Sequence, residues 1–69
     1  MKDHVYKIVE IVGTSSEGIE QAIQAGLTRA RKSIRKIRWF EVTGTRGFVE
    51  NDDVIQYQVT MKVGFTLDE

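Results

Sequence analysis

Within residues 54–65, VIQYQVTMKVGF, apolar and polar side chains alternate from Ile55 onward, apart from a single glycine near the end. Successive side chains of a β-strand point to opposite faces, so alternation of period two predicts a strand with one apolar face. A second layer of structure must cover that face. The apolar positions are Ile55, Tyr57, Val59, Met61, Val63 and Phe65, and the polar ones are Gln56, Gln58, Thr60 and Lys62.

The preceding segment is predicted to form a hairpin with this strand. A turn at Asn51-Asp52 pairs Glu50 with Asp53 and sets the register, since asparagine and aspartate favour tight turns. Apolar residues then lie opposite apolar ones and opposite charges meet, as a correct register requires. The predicted pairs are Trp39–Gly64, Phe40–Val63, Glu41–Lys62, Val42–Met61, Thr43–Thr60 and Phe48–Ile55.

Arg46 breaks the pattern of this hairpin. The simple register places its guanidinium on the apolar face, opposite Tyr57. A β-bulge inserts one residue and re-aims the side chains beyond it, and glycine often marks such a position. We therefore expect a bulge at Gly44 or Gly47.

The first half of the chain predicts one strand and one helix. Residues 4–12 are rich in valine and isoleucine and are expected to end as a strand at Gly13. The sequence TSSE at 14–17 matches a capping box, in which the Thr14 side chain accepts from the amide of Glu17. An apolar stripe at helical spacing follows, and we expect the helix to end between Ser33 and Arg38. The stripe contains Ile19, Ala22, Ile23, Leu27, Ala30, Ile34 and Ile37.

These elements predict one α+β domain spanning 1–69, with the order β-α-β-β and a helix on the apolar face of an antiparallel sheet. A single core in so short a chain seldom contributes more than roughly 3–5 kcal/mol to the free energy of unfolding, which favours self-association.

The absence of cysteine excludes disulfides and fits a reducing, cytoplasmic setting. Acids and bases balance at ten each, so the overall charge favours neither nucleic acid nor membrane as partner. We expect no membrane span and no signal peptide.

The only tryptophan, Trp39, is predicted to point away from the helix, onto the face that carries Gln58 and Lys62. It then either fills a contact between subunits or folds over the helix end, or it stacks on a planar heteroaromatic ligand whose edge Gln58 and Arg46 bind. Trp39 and Gln58 are six residues apart along the hairpin, roughly 20 Å at ~3.3 Å per residue. One flat ligand therefore contacts both only if a second subunit supplies one of them.

Three stretches resemble the dodecins, small flavin-storing proteins of bacteria and archaea. They are VYKIVEIVGTSSEGIEQAI at 5–23, RWFEV with RG at 38–47, and YQVTMKVGF at 57–65. The resemblance implies a three-stranded antiparallel sheet partly wrapped around one helix, and a dodecameric hollow shell. It further implies flavins bound as stacked pairs on two-fold axes, each ring lying between a tryptophan and a glutamine of neighbouring subunits.

Five positions carry the implied flavin site. Trp39 of WFEV is the stacking residue, Gln58 of YQV holds the ring edge, and Arg46 of RG lies near the ligand's side chain or phosphate. Thr66 occupies a position where many family members have arginine, and Arg38 one where an acid is frequent. These two departures leave the choice between FMN and riboflavin open.

Six of the ten residues from Arg29 to Arg38 are basic. Cations near a helix C-terminus complement the helix dipole, which suffices to explain them. A functional alternative is phosphate binding: some family members also hold coenzyme A, and the resemblance places Arg29, Lys32, Ser33 and Arg35 there. A nucleic-acid surface is disfavoured because no aromatic residue interleaves the patch.

No catalytic or metal site is predicted. His4 is the sole histidine, and ENDD at 50–53 is too short for a calcium-binding EF-hand loop. The serines and threonines have no histidine base at a recognisable spacing. The sequence therefore favours a non-enzymatic protein that stores flavin as a self-assembled shell, and the alternative is a self-assembling interaction module without a ligand.

Overall fold

The computed structural model describes residues 3–67, which form three strands and one helix. In chain order they are β1 (Tyr6–Ser15), α1 (Ile19–Ala30), β2 (Ile37–Glu50) and β3 (Asp53–Thr66). The sheet order is β1-β3-β2 with both pairings antiparallel. The predicted β-α-β-β fold is thus confirmed, and the alternating segment is the central strand.

The core lies between the helix and one face of β3. Val59, Met61 and Val63, three consecutive members of the alternating apolar set, have no exposed surface, and Ala22 of α1 closes over them. Central strands have neighbours on both edges, so an apolar face placed there is the easiest to bury. Partly buried residues surround this cluster, namely Val9, Ile11, Ile19, Ile23, Leu27 and Ile37.

β1 is longer than predicted, because Gly13 does not end it. Gly13 continues the ladder opposite Val59, and the strand extends to Ser15. A Cβ at position 13 would overlap the carbonyl oxygen of Ala22 and lie 3.2 Å from the amide nitrogen of Gly26. Glycine is present at positions 13 and 26 so that the strand and the helix can approach closely.

Both predicted ends of the helix are wrong. α1 begins at Ile19 with Gly18 at the N-cap and no side-chain cap, and Thr14 lies inside β1. The amide of Glu17 instead donates to Oγ of Ser15, at 2.9 Å. The helix ends at Ala30 and a turn follows at residues 31–33, so Ile34 and Ile37 of the predicted stripe lie outside it. Ile37 still reaches the core, from β2.

The hairpin has the predicted turn, with Glu50 opposite Asp53 and both Asn51 and Asp52 at positive φ (51° and 67°). The register holds from Trp39 to Val42 and then shifts. Because a bulge at Thr43 places Gly44 opposite Thr60, the predicted Thr43–Thr60 and Phe48–Ile55 pairs are wrong. The Thr43 hydroxyl instead donates to the backbone oxygen of Thr60, at 3.2 Å. The expected bulge beside Gly44 is confirmed.

Helix α1 packs on β1 and β3 and leaves β2 largely uncovered. The inward-facing Phe40 and Val42 of β2 are therefore about two-fifths exposed. β1 ends opposite Tyr57, so the remainder of the hairpin extends beyond the three-stranded part of the sheet. We call residues 48–55 the hairpin arm. The described chain measures 55 × 20 × 14 Å.

Within residues 3–67, no helix has the length and apolar character that crossing a bilayer requires.

Candidate functional site

Trp39 lies at the start of β2 with its indole ring directly over Gly64 of β3. A Cβ at position 64 would overlap Cε2 and Cζ2 of the ring, so the ring occupies the space where a side chain at 64 would stand. The neighbouring Val63 is buried against the helix, and alternation puts residue 64 on the opposite face. The predicted orientation of Trp39, away from its own core, is confirmed.

The indole is also accessible. Trp39 is 36% exposed, with one face resting on the backbone at Gly64. A register shift between Ile37 and Trp39 leaves Arg38 outside the pairing, and its side chain is exposed. This arrangement offers a flat aromatic surface with one face against the backbone and the other accessible, and the residue before it in sequence is an exposed cation.

Arg46 lies directly opposite Gln58 because of the bulge at Thr43. Without the shift, Arg46 would face Tyr57 on the apolar side. The bulge therefore moves Arg46 to the outer face of the sheet, at the register position opposite Gln58. Nε2 of Gln58 donates to Oε1 of Gln56 at 3.0 Å, which holds the amide in one orientation. Gln58 is partly buried and Arg46 is exposed.

The outer face thus carries two separate groups of candidate residues. Trp39 pairs with Gly64, and Gln58 lies six residues earlier on β3. At ~3.3 Å per residue the two groups are roughly 20 Å apart in one chain. A flat ligand contacts both only where two copies bring the indole of one beside the amide of the other.

Two residues of β1 flank these groups and were missed from the sequence. Ile8 lies opposite Gly64 on the side away from Trp39, and Thr14 lies opposite Gln58 on the side away from Arg46. Both side chains are exposed. The sequence pattern of β1 predicted which face Ile8 and Thr14 lie on. It did not predict which residues lie opposite them, because the hairpin pattern alone does not establish that β3 is the central strand.

Thr66 differs from the other candidates because it is 93% buried, with 7% of its surface exposed. Its Oγ1 has no hydrogen-bond partner, while its amide donates to the Lys36 oxygen at 3.3 Å. The side chain borders a shallow hollow of about 250 Å³, lined by Ser33, Ile34, Arg35, Phe65, Thr66 and Leu67. Thr66 therefore contributes little open surface of its own to the sheet face that bears Trp39.

Neither of the two hollows described for residues 3–67 is lined by all four of the residues expected to bind coenzyme A. Arg29 and Ser33 line a groove of about 470 Å³ between β1 and α1, which we call the β1–α1 groove. Ser33 and Arg35 line the smaller hollow beside Thr66. Lys32 is exposed in the turn after the helix and lines neither space. The coenzyme A assignment stays a prediction.

Among residues 3–67, no three histidine, cysteine, aspartate or glutamate side chains are grouped so that they could hold a metal ion.

Comparison with known proteins identifies the family. The family model described as Dodecin matches residues 5–68. A dodecin of Thermus thermophilus is 57% identical over 65 residues, which is 94% of each chain. The solved dodecin of Streptomyces davaonensis superposes with a TM-score of 0.95 at 47% identity, covering 99% of this chain and 100% of the other. A protein of Mycobacterium tuberculosis named calcium dodecin is 35% identical over 63 residues, 91% of this chain and 89% of that one. The chain therefore belongs to the dodecin family.

Proposed function

We propose that this protein is a non-enzymatic flavin-binding and storage protein that holds FMN or riboflavin between copies of itself in a dodecameric shell. The observation that carries the proposal is the placement of Trp39. A large, flat, accessible ring lies on the sheet face that its own helix does not cover, about 20 Å from the polar groups suited to complete its site. Such a site is finished only by a second copy.

The chemistry of the two groups suits an isoalloxazine ring. An indole face stacks on a planar heteroaromatic system, and a second flavin stacked beside the first extends the pile. The Gln58 amide, held by Gln56, offers hydrogen bonds to the carbonyl and imide edge of the ring. The exposed guanidinium of Arg46 suits a phosphate, which arginine binds through two parallel hydrogen bonds.

Storage follows from the same geometry. A flavin stacked on tryptophan and on a second flavin loses its excited state rapidly, which suppresses photochemistry while the cofactor is held. Two stacked rings between two indoles also leave little room for a substrate. The alternative is a self-assembling interaction module, which shares the assembly but predicts no optical response to flavin.

Fluorescence titration separates these two functions. Adding the purified protein should quench FMN and riboflavin, and Trp39→Ala should weaken binding by the ~1–3 kcal/mol that one stacking partner contributes. Gln58→Ala should weaken binding of both ligands, while Gln24→Ala, on the exposed face of α1, serves as the matched control. Arg46→Ala should weaken FMN more than riboflavin, because riboflavin carries no phosphate. Unchanged quenching by Trp39→Ala in an intact assembly would contradict the proposal.

Gly64→Ala tests the site without removing any candidate residue. The new methyl group occupies the space of the indole, so the ring must leave its position over β3. We expect about a tenfold weaker flavin affinity, equal to 1.4 kcal/mol, with the assembly retained. Gly47→Ala is the control, since its Cβ would meet only Val54 Cγ1, at an ordinary 3.6 Å, and Gln56 O at 3.8 Å. Equal affinities for the two variants, by titration beside light scattering, would show that the placement of the ring does not matter.

A further inference from the structure

The Gln58 amide is held by a neighbour on the same face of β3. Gln56 and Gln58 are two residues apart on one strand, so both lie on the outer face, roughly 7 Å apart at their Cα atoms. Nε2 of Gln58 donates to Oε1 of Gln56 at 3.0 Å. Both side chains are partly buried, whereas Arg46 and Phe48, which lie opposite them on β2, are exposed. This hydrogen bond thus lies in the less accessible part of the candidate site.

The bond decides which groups of Gln58 are left for a ligand. A glutamine amide has one carbonyl oxygen, which accepts hydrogen bonds, and one nitrogen with two N–H donors. One N–H is used on Gln56, so the second N–H and Oε1 are the groups that the amide offers to a ligand. Because a glutamine side chain has several rotatable bonds, holding it before the ligand arrives avoids an ordering cost on binding.

The other neighbours of Gln58 do not select this orientation. Arg46, directly opposite on β2, has donors only, so its guanidinium cannot accept from Nε2 of Gln58. Thr14, opposite on β1, carries a hydroxyl that both donates and accepts, so it suits either orientation of the amide. Of these three neighbours, Gln56 is the one whose contact distinguishes the amide nitrogen from the amide oxygen.

We propose that Gln56 is a positioning residue of the flavin site and makes the site selective for rings with an unsubstituted imide N–H, an inference that rests on the proposed function. The imide edge of an isoalloxazine ring carries an N–H donor between two carbonyl acceptors. The oriented Gln58 amide is complementary to this edge, since Oε1 accepts from the imide N–H and the second N–H donates to an adjacent carbonyl. A methyl group on the imide nitrogen leaves Oε1 without a partner, which is unfavourable in a site closed to water.

Fluorescence titration with riboflavin and with riboflavin methylated at its imide nitrogen tests this selectivity, because neither ligand carries a phosphate. In the unmodified protein we expect the methylated ligand to bind about tenfold more weakly. Gln56→Leu removes the acceptor, so the Gln58 amide can rotate and the ratio of the two affinities should fall to about twofold. Gln56→Glu keeps an acceptor at the same distance along the side chain and should keep the ratio of the unmodified protein.

The ratio separates positioning from a general structural effect. A substitution that only weakens the assembly, which light scattering follows, lowers both affinities together and leaves their ratio unchanged. Gln24→Leu, on the exposed part of α1, is the matched control. In a Gln58→Ala background, Gln56→Leu should not weaken riboflavin binding further, because the amide that Gln56 positions is gone.

Two results would overturn the inference while flavin binding stands. One is an unchanged ratio in Gln56→Leu, and the other is equal affinity of the unmodified protein for the two ligands. Failure of the unmodified protein to bind riboflavin at all would instead overturn the proposed function and the inference together.

Discussion

Two stretches of strand β3 differ in how far their apolar side chains are buried. Between Val59 and Val63 its apolar side chains are completely buried beneath α1, whereas Val54 and Ile55 in the hairpin arm are about half exposed. Both stretches carry large apolar side chains. The difference arises because β1 and the helix cover only the first stretch.

This contrast shows where one chain completes its own structure and where it depends on another. The covered part has a helix and three strands around a closed core. The arm has two strands, an exposed apolar pair and a charged tip. In a short chain a single helix covers only part of the apolar face of the sheet. The uncovered part is available for contacts between copies.

The largest effect is expected from shortening the buried side chains of β3. Met61→Ala should lower the free energy of unfolding by about 2–5 kcal/mol, because Met61 is fully buried and a cavity remains. Ile55→Ala, in the exposed arm, should cost less than about 1 kcal/mol at protein concentrations too low for assembly. Urea denaturation over a dilution series measures both. Equal losses at low concentration would show that the arm is as well packed as the core.

Substitution of two glycines tests how closely the backbone is packed in the covered part of the sheet. Gly13→Ala forces a methyl group against the Ala22 carbonyl in the covered part and should cost about 1–3 kcal/mol. Gly44→Ala is the control, because no atom other than its chain neighbours lies within 4 Å of its new Cβ and its φ is outside the left-handed region. It should be neutral or stabilising by less than about 1 kcal/mol. Thermal unfolding distinguishes them, and similar melting temperatures would contradict a close approach of β1 and α1.

The smallest effect is expected at the tip of the arm. Asn51→Ala places alanine at a φ of 51°, which L-residues other than glycine, asparagine and aspartate disfavour by about 1–2 kcal/mol. The measured loss should be about 1 kcal/mol or less, since a ribbon that is marginal on its own adds little to the stability of the core. Asn51→Gly should be nearly neutral. A loss above that of Gly13→Ala in the same assay would reverse the ranking of the two regions.

The hairpin was the most predictable part of the fold. Alternation along 54–65 and the turn at Asn51-Asp52 are local signals, and they placed Trp39 opposite Gly64 correctly. The helix ends were predicted wrongly. Ile34 and Ile37 match a helical stripe but lie in the loop after the helix and in β2. Ile37 packs against the core from β2, because tertiary burial outweighs a spacing of three and four.

The candidate site also has features that the sequence predicted and features that it did not. The outward direction of Trp39 followed from the alternation of side chains along the two strands of the hairpin. The pairing of Arg46 with Gln58 depended on where the bulge lies, and the contributions of Ile8 and Thr14 depended on which strand is central. The pairing between strands decides the partner of Arg46 and the positions of Ile8 and Thr14.

The sequence by itself determined the order of elements, the buried face of β3 and the turn, because each depends on neighbours within a few residues. Only the tertiary structure decided the end of the helix, the exact length of β1 and the extent of the uncovered arm. Those features depend on how far one twelve-residue helix reaches across a longer sheet, which is a matter of shape in three dimensions.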